Sequence, residues 1–350
     1  MTLAFSQVAI IGAGAMGRGI AQIAAQAGSQ VWLFDTQSGA SAKACEAIGQ
    51  TWDKLQEKGK LSPETVASHK TRLHEAASLQ DLCGCDLVVE AIVEKIDIKK
   101  AVFADLEKVV AQDAVLVTNT SSLSVTAIAA GMQHPQRFAG YHFFNPVPLM
   151  KVVEVIAGLK TDAAACQRLS DYARQMGHTP VQAQDTPGFI VNHAGRGYGT
   201  EALRIVSEGI ADFATIDRIL RDQMGFKLGP FELFDLTALD VSHHVIESIY
   251  HQYYEEPRYR PNVITAQRLA AGVVGKKVGD GFYKYVDGVA QVPAEPAVPM
   301  VENMPPVWVS TRAARRSELL QLLKDLGAKI ETGQSPSPEA LTICPLSLDL

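Results

Sequence analysis

The run YHFFNPVPLMKVVEVI, residues 141–156, holds one histidine, His142, and one glutamate, Glu154, in a largely apolar segment with two prolines between them. Apolar core segments exclude ionisable groups unless a partner satisfies them. Ionisable residues kept in such a segment mark a candidate site for proton chemistry, since perturbed titratable groups cluster at functional sites. The structural alternative is a hydrogen-bonded core histidine beside a glutamate that merely ends a strand. A second set of chemistry-bearing residues lies near the N-terminus. There GAGAMG places Gly12, Gly14 and Gly17 in G-x-G-x-x-G spacing, and Asp35 follows about twenty residues later.

These residues need elements to hold them. QVAII (7–11) reads as a buried parallel strand, RGIAQIAAQAG as an amphipathic helix closing at Gly28, and QVWLFD as a second strand ending in Asp35. Gly12 permits the tight turn, Gly14 lets the backbone approach a pyrophosphate, and Gly17 lets helix pack on strand. The free N–H groups at the helix start then meet the phosphates. Asp35 is placed to accept the adenosine ribose hydroxyls and would repel a 2′-phosphate, so NAD is favoured over NADP; otherwise it is a strand-end turn residue.

The next clear strand is DLVVEAI (86–92). The long interval before it contains two helical patterns broken at Gly59 and Pro63, carrying Lys54, Lys58, Lys60, Lys70 and Arg72. This is either a solvated face or a helical excursion whose cations meet an acidic substrate handle. AVLVTNTSS (114–122), RFAGYHFF (137–144), KVVEVIAG and TPVQAQD read as further strands, with helices at SLSVTAIAAGM and DAAACQRLSDYARQMG. Strand–helix alternation predicts a Rossmann-like, doubly wound, mostly parallel α/β sheet. Ser121 and Ser122 fall just past a strand end, where such sheets bind ligands.

From Thr186 the pattern turns helical. TPGFIVNHAGRGYGTEALRIVSEG reads as one long helix from Pro187 to Gly209, and further helical segments are punctuated by Gly225, Pro230 and Pro257. The expected organisation is a dinucleotide-binding domain over 1–185, with its helical excursion at about 50–72, and an all-helical domain over 186–290. A proline-rich linker (291–306) and a partial third α/β module (307–350) follow. That last piece, a strand, helix and strand, cannot bury both faces of a sheet, so it reads as a truncated module or one that docks on a neighbour. A helical hairpin of the kind read in 186–290 often pairs with its copy, so a homodimer is expected.

Composition bounds the function. With 47% hydrophobic and 20% charged residues the chain reads as soluble and globular, and a net charge of −6 argues against nucleic acid or an anionic membrane as main partner. Five irregularly spaced cysteines without a C-x-x-C or Cys/His metal pattern indicate reduced thiols in the cytoplasm and no metal site. The N-terminus lacks a basic segment before its apolar run, so it does not read as a signal peptide, and no apolar run reaches the length of a membrane span.

Taken in order, GAGAMG, VVEAIVE, NTSSL, HFFNPVPLMKVVEVI, DTPGFIVN, LGPFELFDLTALD and GDGFYKY resemble the NAD-dependent 3-hydroxyacyl-CoA dehydrogenases from residue 7 to about 286. The family includes bacterial 3-hydroxybutyryl-CoA enzymes. VNHAGRGYGTEALRI looks most like the members of phenylacetate catabolism, which oxidise 3-hydroxyadipyl-CoA and often carry a second dehydrogenase-like module. The resemblance implies that His142 takes the hydroxyl proton as the C3 hydride passes to NAD, with Glu154 on its other ring nitrogen. It implies that Ser121 and Asn192 bond the reacting oxygen or thioester, and that Asn145 lies close to the nicotinamide. Gly12, Gly14, Met16, Gly17, Asp35, Glu94, Lys99 and Asn119 match cofactor-contacting positions; for Glu94 and Lys99 the alternative is an ordinary surface pair. Lysines of the excursion, Lys54 and Lys58 among them, would meet the acidic CoA.

The chain departs from many short-chain members at Arg196, four residues after Asn192 and so on the same helical face. A guanidinium there suits an acyl group ending in a carboxylate; the alternative is a bridge to Glu201 or to a dimer partner. Two rival functions stay open, a dehydrogenase of a free hydroxy acid and an NAD-binding scaffold without turnover.

Overall fold

The computed structural model describes residues 2–295 and 304–344. Contacts divide the chain into two compact units, Met1–Val292 and Pro293–Leu350.

The first unit begins with β1 (Gln7–Ile11), buried on both faces as its unbroken apolar run requires. Helix α1 (Ala15–Ala27) buries Ile20, Ala21, Ile23, Ala24 and Ala25 and stops at Gly28, whose φ of 113° lets its N–H return to the last turn. After β2 (Gln30–Phe34) come α2 (Ala40–Glu57) and α3 (Pro63–Lys70), the helical excursion. Ser62 caps α3 by accepting the Thr65 N–H. Trp52 of α2 is fully buried against the sheet's core and packs on His69 of α3. The chain re-enters the sheet at β3 (Leu73–Glu75), an edge strand of three residues too short to show any periodicity in the sequence.

Alternation continues through β4 (Leu87–Glu90), α4 (Ile96–Leu106), β5 (Val115–Thr118), α5 (Val125–Ala129) and β6 (Phe138–Phe143), then β7 (Val152–Ala157), α6 (Ala163–Gln175) and β8 (Thr179–Gln184). The eight strands lie in the order β3-β2-β1-β4-β5-β6-β7-β8. One apolar core joins α1, α2 and α6 to one face, and a second joins α4 and α5 to the other. All neighbours are parallel except β6 and β7, which pair antiparallel. The alternation expected from the sequence fails here because the segment between them is too short for a crossover helix.

Six α-helices follow among the described residues of this unit: α7 (Val191–Ala194), α8 (Arg196–Ser207), α9 (Phe213–Arg218), α10 (Pro230–Thr237), α11 (Leu239–Gln252) and α12 (Val263–Ala270). The single helix expected from Pro187 instead starts at Val191, because Gly188 and Phe189 take φ of 79° and 50° in a turn, and it is interrupted at Gly195, whose backbone stays in the right-handed region. The helices pack around Leu203, Phe231, Phe234, Leu239, Ile246, Phe282 and Tyr283. A hairpin, β9 (Lys284–Val286) and β10 (Val289–Gln291), closes the unit through Asp287 and Gly288, both at positive φ.

Two buried carboxylates peg this layer together. Asp217 accepts the N–H groups of Phe231 and Glu232 at the start of α10 and the Tyr283 hydroxyl. Asp235 accepts the N–H groups of Phe282 and Tyr283.

The second unit contains β11 (Val307–Val309), α13 (Arg316–Asp325), β12 (Ile330–Glu331) and β13 (Leu341–Ile343), a parallel sheet in the order β12-β11-β13. β13 was not legible as a strand. Of the proline-rich stretch, residues 296–303 lie outside the described residues.

Candidate active site

His142 and Glu154 face each other as register partners on antiparallel β6 and β7. Nδ1 of His142 lies 2.6 Å from Oε2 of Glu154, and both side chains are buried. The other carboxylate oxygen, Oε1, accepts the N–H groups of Ile190 at 3.0 Å and Val191 at 2.9 Å, where α7 begins. Burial pushes the Glu154 carboxyl up. The hydrogen bond and charge of His142 and the two N–H groups outweigh it and hold the pKa below the ordinary value. An ionised carboxylate on Nδ1 places the ring proton there and leaves Nε2 as the acceptor. Among the described residues Nε2 has no hydrogen-bond partner. The rings of Phe144 and Phe189 flank the imidazole at 4.5 and 5.9 Å.

Asn119, just past β5, accepts the Phe143 N–H on its side-chain oxygen and so ties that strand end to the residue after His142. Ser121 and Asn192 meet across the sheet–helix boundary, with Nδ2 of Asn192 donating to the Ser121 carbonyl at 3.2 Å. The loop carrying Ser121 hangs on Glu94, whose Oε1 accepts from the Thr120 hydroxyl, the Ser121 N–H and the Ser122 hydroxyl. Burial raises the Glu94 pKa, but Lys99 and these donors overcome it and keep the carboxyl below its ordinary value.

Glu94 and Lys99 are therefore no ordinary surface pair. Lys99 is 1% exposed and lies 3.2 Å from Glu94 and 2.6 Å from Glu90, itself fully buried. Glu90 completes its shell with the Thr118 hydroxyl and the Ile92 N–H. Sequence reasoning assigned Glu90 no role; the one available signal was a carboxylate closing an otherwise apolar strand.

The glycine loop fits a dinucleotide. Gly12 has φ of 105°, and a Cβ there would come 2.5 Å from the Ala91 carbonyl oxygen. A Cβ on Gly17 would overlap the Gly12 carbonyl, whereas one on Gly14 would meet nothing within 4 Å. Gly14 thus opens on free space at the start of α1, where N–H groups can receive phosphate. Asp35 bonds the N–H groups of Ala13 and Gln37, which sets its carboxylate at the rim of this loop. Met16, half-buried, packs against the core behind the loop. Gly19 was also missed: a Cβ there would lie 2.7 Å from that of Val147, so α1 presses on the turn that holds exposed Asn145.

Arg196 folds its Nε back toward the main-chain carbonyl of Asn192 at 3.5 Å. Burial pushes its guanidinium down to about 10, still charged at neutral pH. Among the described residues no carboxylate pairs with it, Glu201 included. In the excursion Lys70 pairs with Asp53, and Arg72 donates to the Ala25 carbonyl and the Ser68 hydroxyl. Lys54 and Lys58 are exposed, and no hydrogen bond or ion pair joins them to the His142 cluster.

Comparison with known proteins places this geometry. The family model "3-hydroxyacyl-CoA dehydrogenase, NAD binding domain" matches residues 7–186, and "3-hydroxyacyl-CoA dehydrogenase, C-terminal domain" matches 188–285. The chain is 41% identical to the 3-hydroxyadipyl-CoA dehydrogenase of Escherichia coli over 81% of its own length and 60% of the relative's. It is also 41% identical to a probable 3-hydroxybutyryl-CoA dehydrogenase of Deinococcus radiodurans, over 79% of this chain and 99% of that one. The crystal structure of 3-hydroxybutyryl-CoA dehydrogenase from E. coli superposes with a TM-score of 0.81 at 39% identity, covering 89% of this chain and 65% of the other. This chain thus spans less than two thirds of the length of both E. coli relatives. With both family models matched in order, the chain belongs to the NAD-dependent 3-hydroxyacyl-CoA dehydrogenases.

Proposed function

We propose that the chain oxidises the 3-hydroxyl of an (S)-3-hydroxyacyl-CoA to the 3-oxoacyl-CoA. The observation that carries the reading is the imidazole of His142, fixed at Nδ1 by a buried carboxylate and open at Nε2. Bound NAD supplies the acceptor for the hydride that leaves C3. Nε2 of His142 takes the hydroxyl proton, and Glu154 stabilises the imidazolium that results. Ser121 and Asn192 bond the reacting oxygen or the thioester carbonyl. Gly12, Gly14, Met16, Gly17, Asp35, Glu94, Lys99, Asn119 and Asn145 hold the cofactor, and Lys54 and Lys58 meet the acidic end of CoA.

Arg196 supports 3-hydroxyadipyl as the acyl group, because a charged, half-buried guanidinium one helical turn from Asn192, with no carboxylate partner among the described residues, suits a terminal carboxylate. The enzyme would then serve phenylacetate catabolism; 3-hydroxybutyryl is the alternative acyl group. Two copies pairing through the helical layer fit the large apolar side chains exposed there, Ile210, Ile219, Met224 and Phe226 among them. Five free cysteines suit a cytoplasmic setting.

The test is the initial rate of NADH formation from 3-hydroxyadipyl-CoA and 3-hydroxybutyryl-CoA in parallel, with the free hydroxy acids as controls. Turnover of either thioester and none of the free acids is expected. Binding of NADH without turnover of any substrate would leave a scaffold instead. Sedimentation equilibrium reads the mass, expected at twice that of one chain.

A further inference from the structure

The helical layer grips the substrate-side residues at a second place, which the His142 chemistry does not use. It is the C-terminal end of α11, where Gln252 is the last helical residue and Tyr253 its cap. The Gln252 amide donates to the Ser122 carbonyl at 2.8 Å, immediately after Ser121, and is itself braced by the Ser248 hydroxyl at 2.9 Å. The Tyr253 hydroxyl lies 2.7 Å from Nδ1 of His193, immediately after Asn192. Buried Tyr259 brings its hydroxyl to 3.3 Å from Nε2 of the same ring, and the three rings pack with centroids 5.0–5.5 Å apart.

Two consecutive residues of one helix end therefore hold the chain neighbours of both Ser121 and Asn192. Those two are joined directly by the bond from the Asn192 amide to the Ser121 carbonyl. Helix α7 runs through right-handed Gly195 into α8, and its contacts at Glu154 and at His193 tie its start to the sheet and to the end of α11.

We propose that Gln252 and Tyr253 are positioning residues that set the spacing of Ser121 and Asn192 around the reacting oxygen. The proposal rests on the roles given to Ser121 and Asn192 above. Displacement of such groups by a fraction of a bond length is costly, because catalysis depends on near-attack geometry.

The experiment is a double-mutant cycle of Tyr253→Phe against Asn192→Ala, in the full chain. It reads kcat/KM for the acyl-CoA, the dissociation constant of NADH, and that of acetoacetyl-CoA by calorimetry. One lost hydrogen bond corresponds to a fall of about two- to tenfold in kcat/KM. The expected result is such a fall for Tyr253→Phe, with weaker acetoacetyl-CoA binding, unchanged NADH binding, and no further loss once Asn192 is alanine. Losses that multiply, or NADH binding that weakens in step, would overturn the proposal and leave Tyr253 a structural residue. Should Tyr253→Phe not fold, Gln252→Leu against Ser121→Ala decides by the same criteria. Wild-type turnover is measured first. Its absence overturns the reaction proposed above, whereas turnover with multiplying losses overturns the positioning role alone.

Discussion

At the scale of single residues the site turns on one imidazole held from one side. Replacing His142 with Gln is expected to lower kcat by about 10²–10⁴ while NADH binding, measured by fluorescence titration, is retained. Arg196→Leu should lower kcat/KM for 3-hydroxyadipyl-CoA by at least about tenfold and leave 3-hydroxybutyryl-CoA within about twofold, the size expected of a charge-assisted bond. An equal loss on both substrates would return Arg196 to a structural role. The pairing of His142 and Glu154 was implied by the family resemblance; the segment alone left a core histidine beside a strand-end glutamate open, because a sequence does not report which strand positions face each other. Glu90 was not legible. A glutamate that ends a strand looks alike in sequence whether it meets water or, as here, the ammonium of Lys99 brought back by α4.

At the scale of elements the glycine loop separates folding from binding. Gly14→Ala adds a methyl group to open space, so the thermal midpoint should stay within about a degree while NAD affinity falls. Gly17→Ala drives a methyl into the Gly12 carbonyl and should cost about 1–3 kcal/mol of stability, read by denaturant unfolding. In the helical layer, burial pushes the Asp217 carboxyl up to about 6 despite its three donors. The folded state therefore holds a proton that the unfolded chain has released between roughly pH 4 and 6, and stability from this group falls as pH rises through that window. Asp217→Asn should flatten that part of the stability–pH curve. The parallel core strands and α1 were legible from apolar runs and capping glycines. β3 and β13, at three residues each, carry too little pattern to read. The start of α7 at Val191, and not at Pro187, follows from backbone angles at Gly188 and Phe189 that no periodicity reports.

At the scale of the molecule, the first unit joins a doubly wound sheet to a helical layer, and the carboxylate of Glu154 lies across their seam. One oxygen holds the His142 ring on the sheet, and the other receives the first N–H groups of the helices. The sheet holds the ring on its carboxylate, but the second oxygen of that carboxylate is satisfied by the docked helices, so competence is expected to need both layers, as in a lock that needs two keys. A chain whose seam has parted, still full of strand and helix, would be chemically mute. On slow heating, NADH formation should therefore fail several degrees before the far-ultraviolet dichroism does. Coincident midpoints would mean that the seam is no weaker than the layers it joins. A young chain leaving the ribosome would likewise close this seam last, since Ile190 and Val191 are made after β6 and β7.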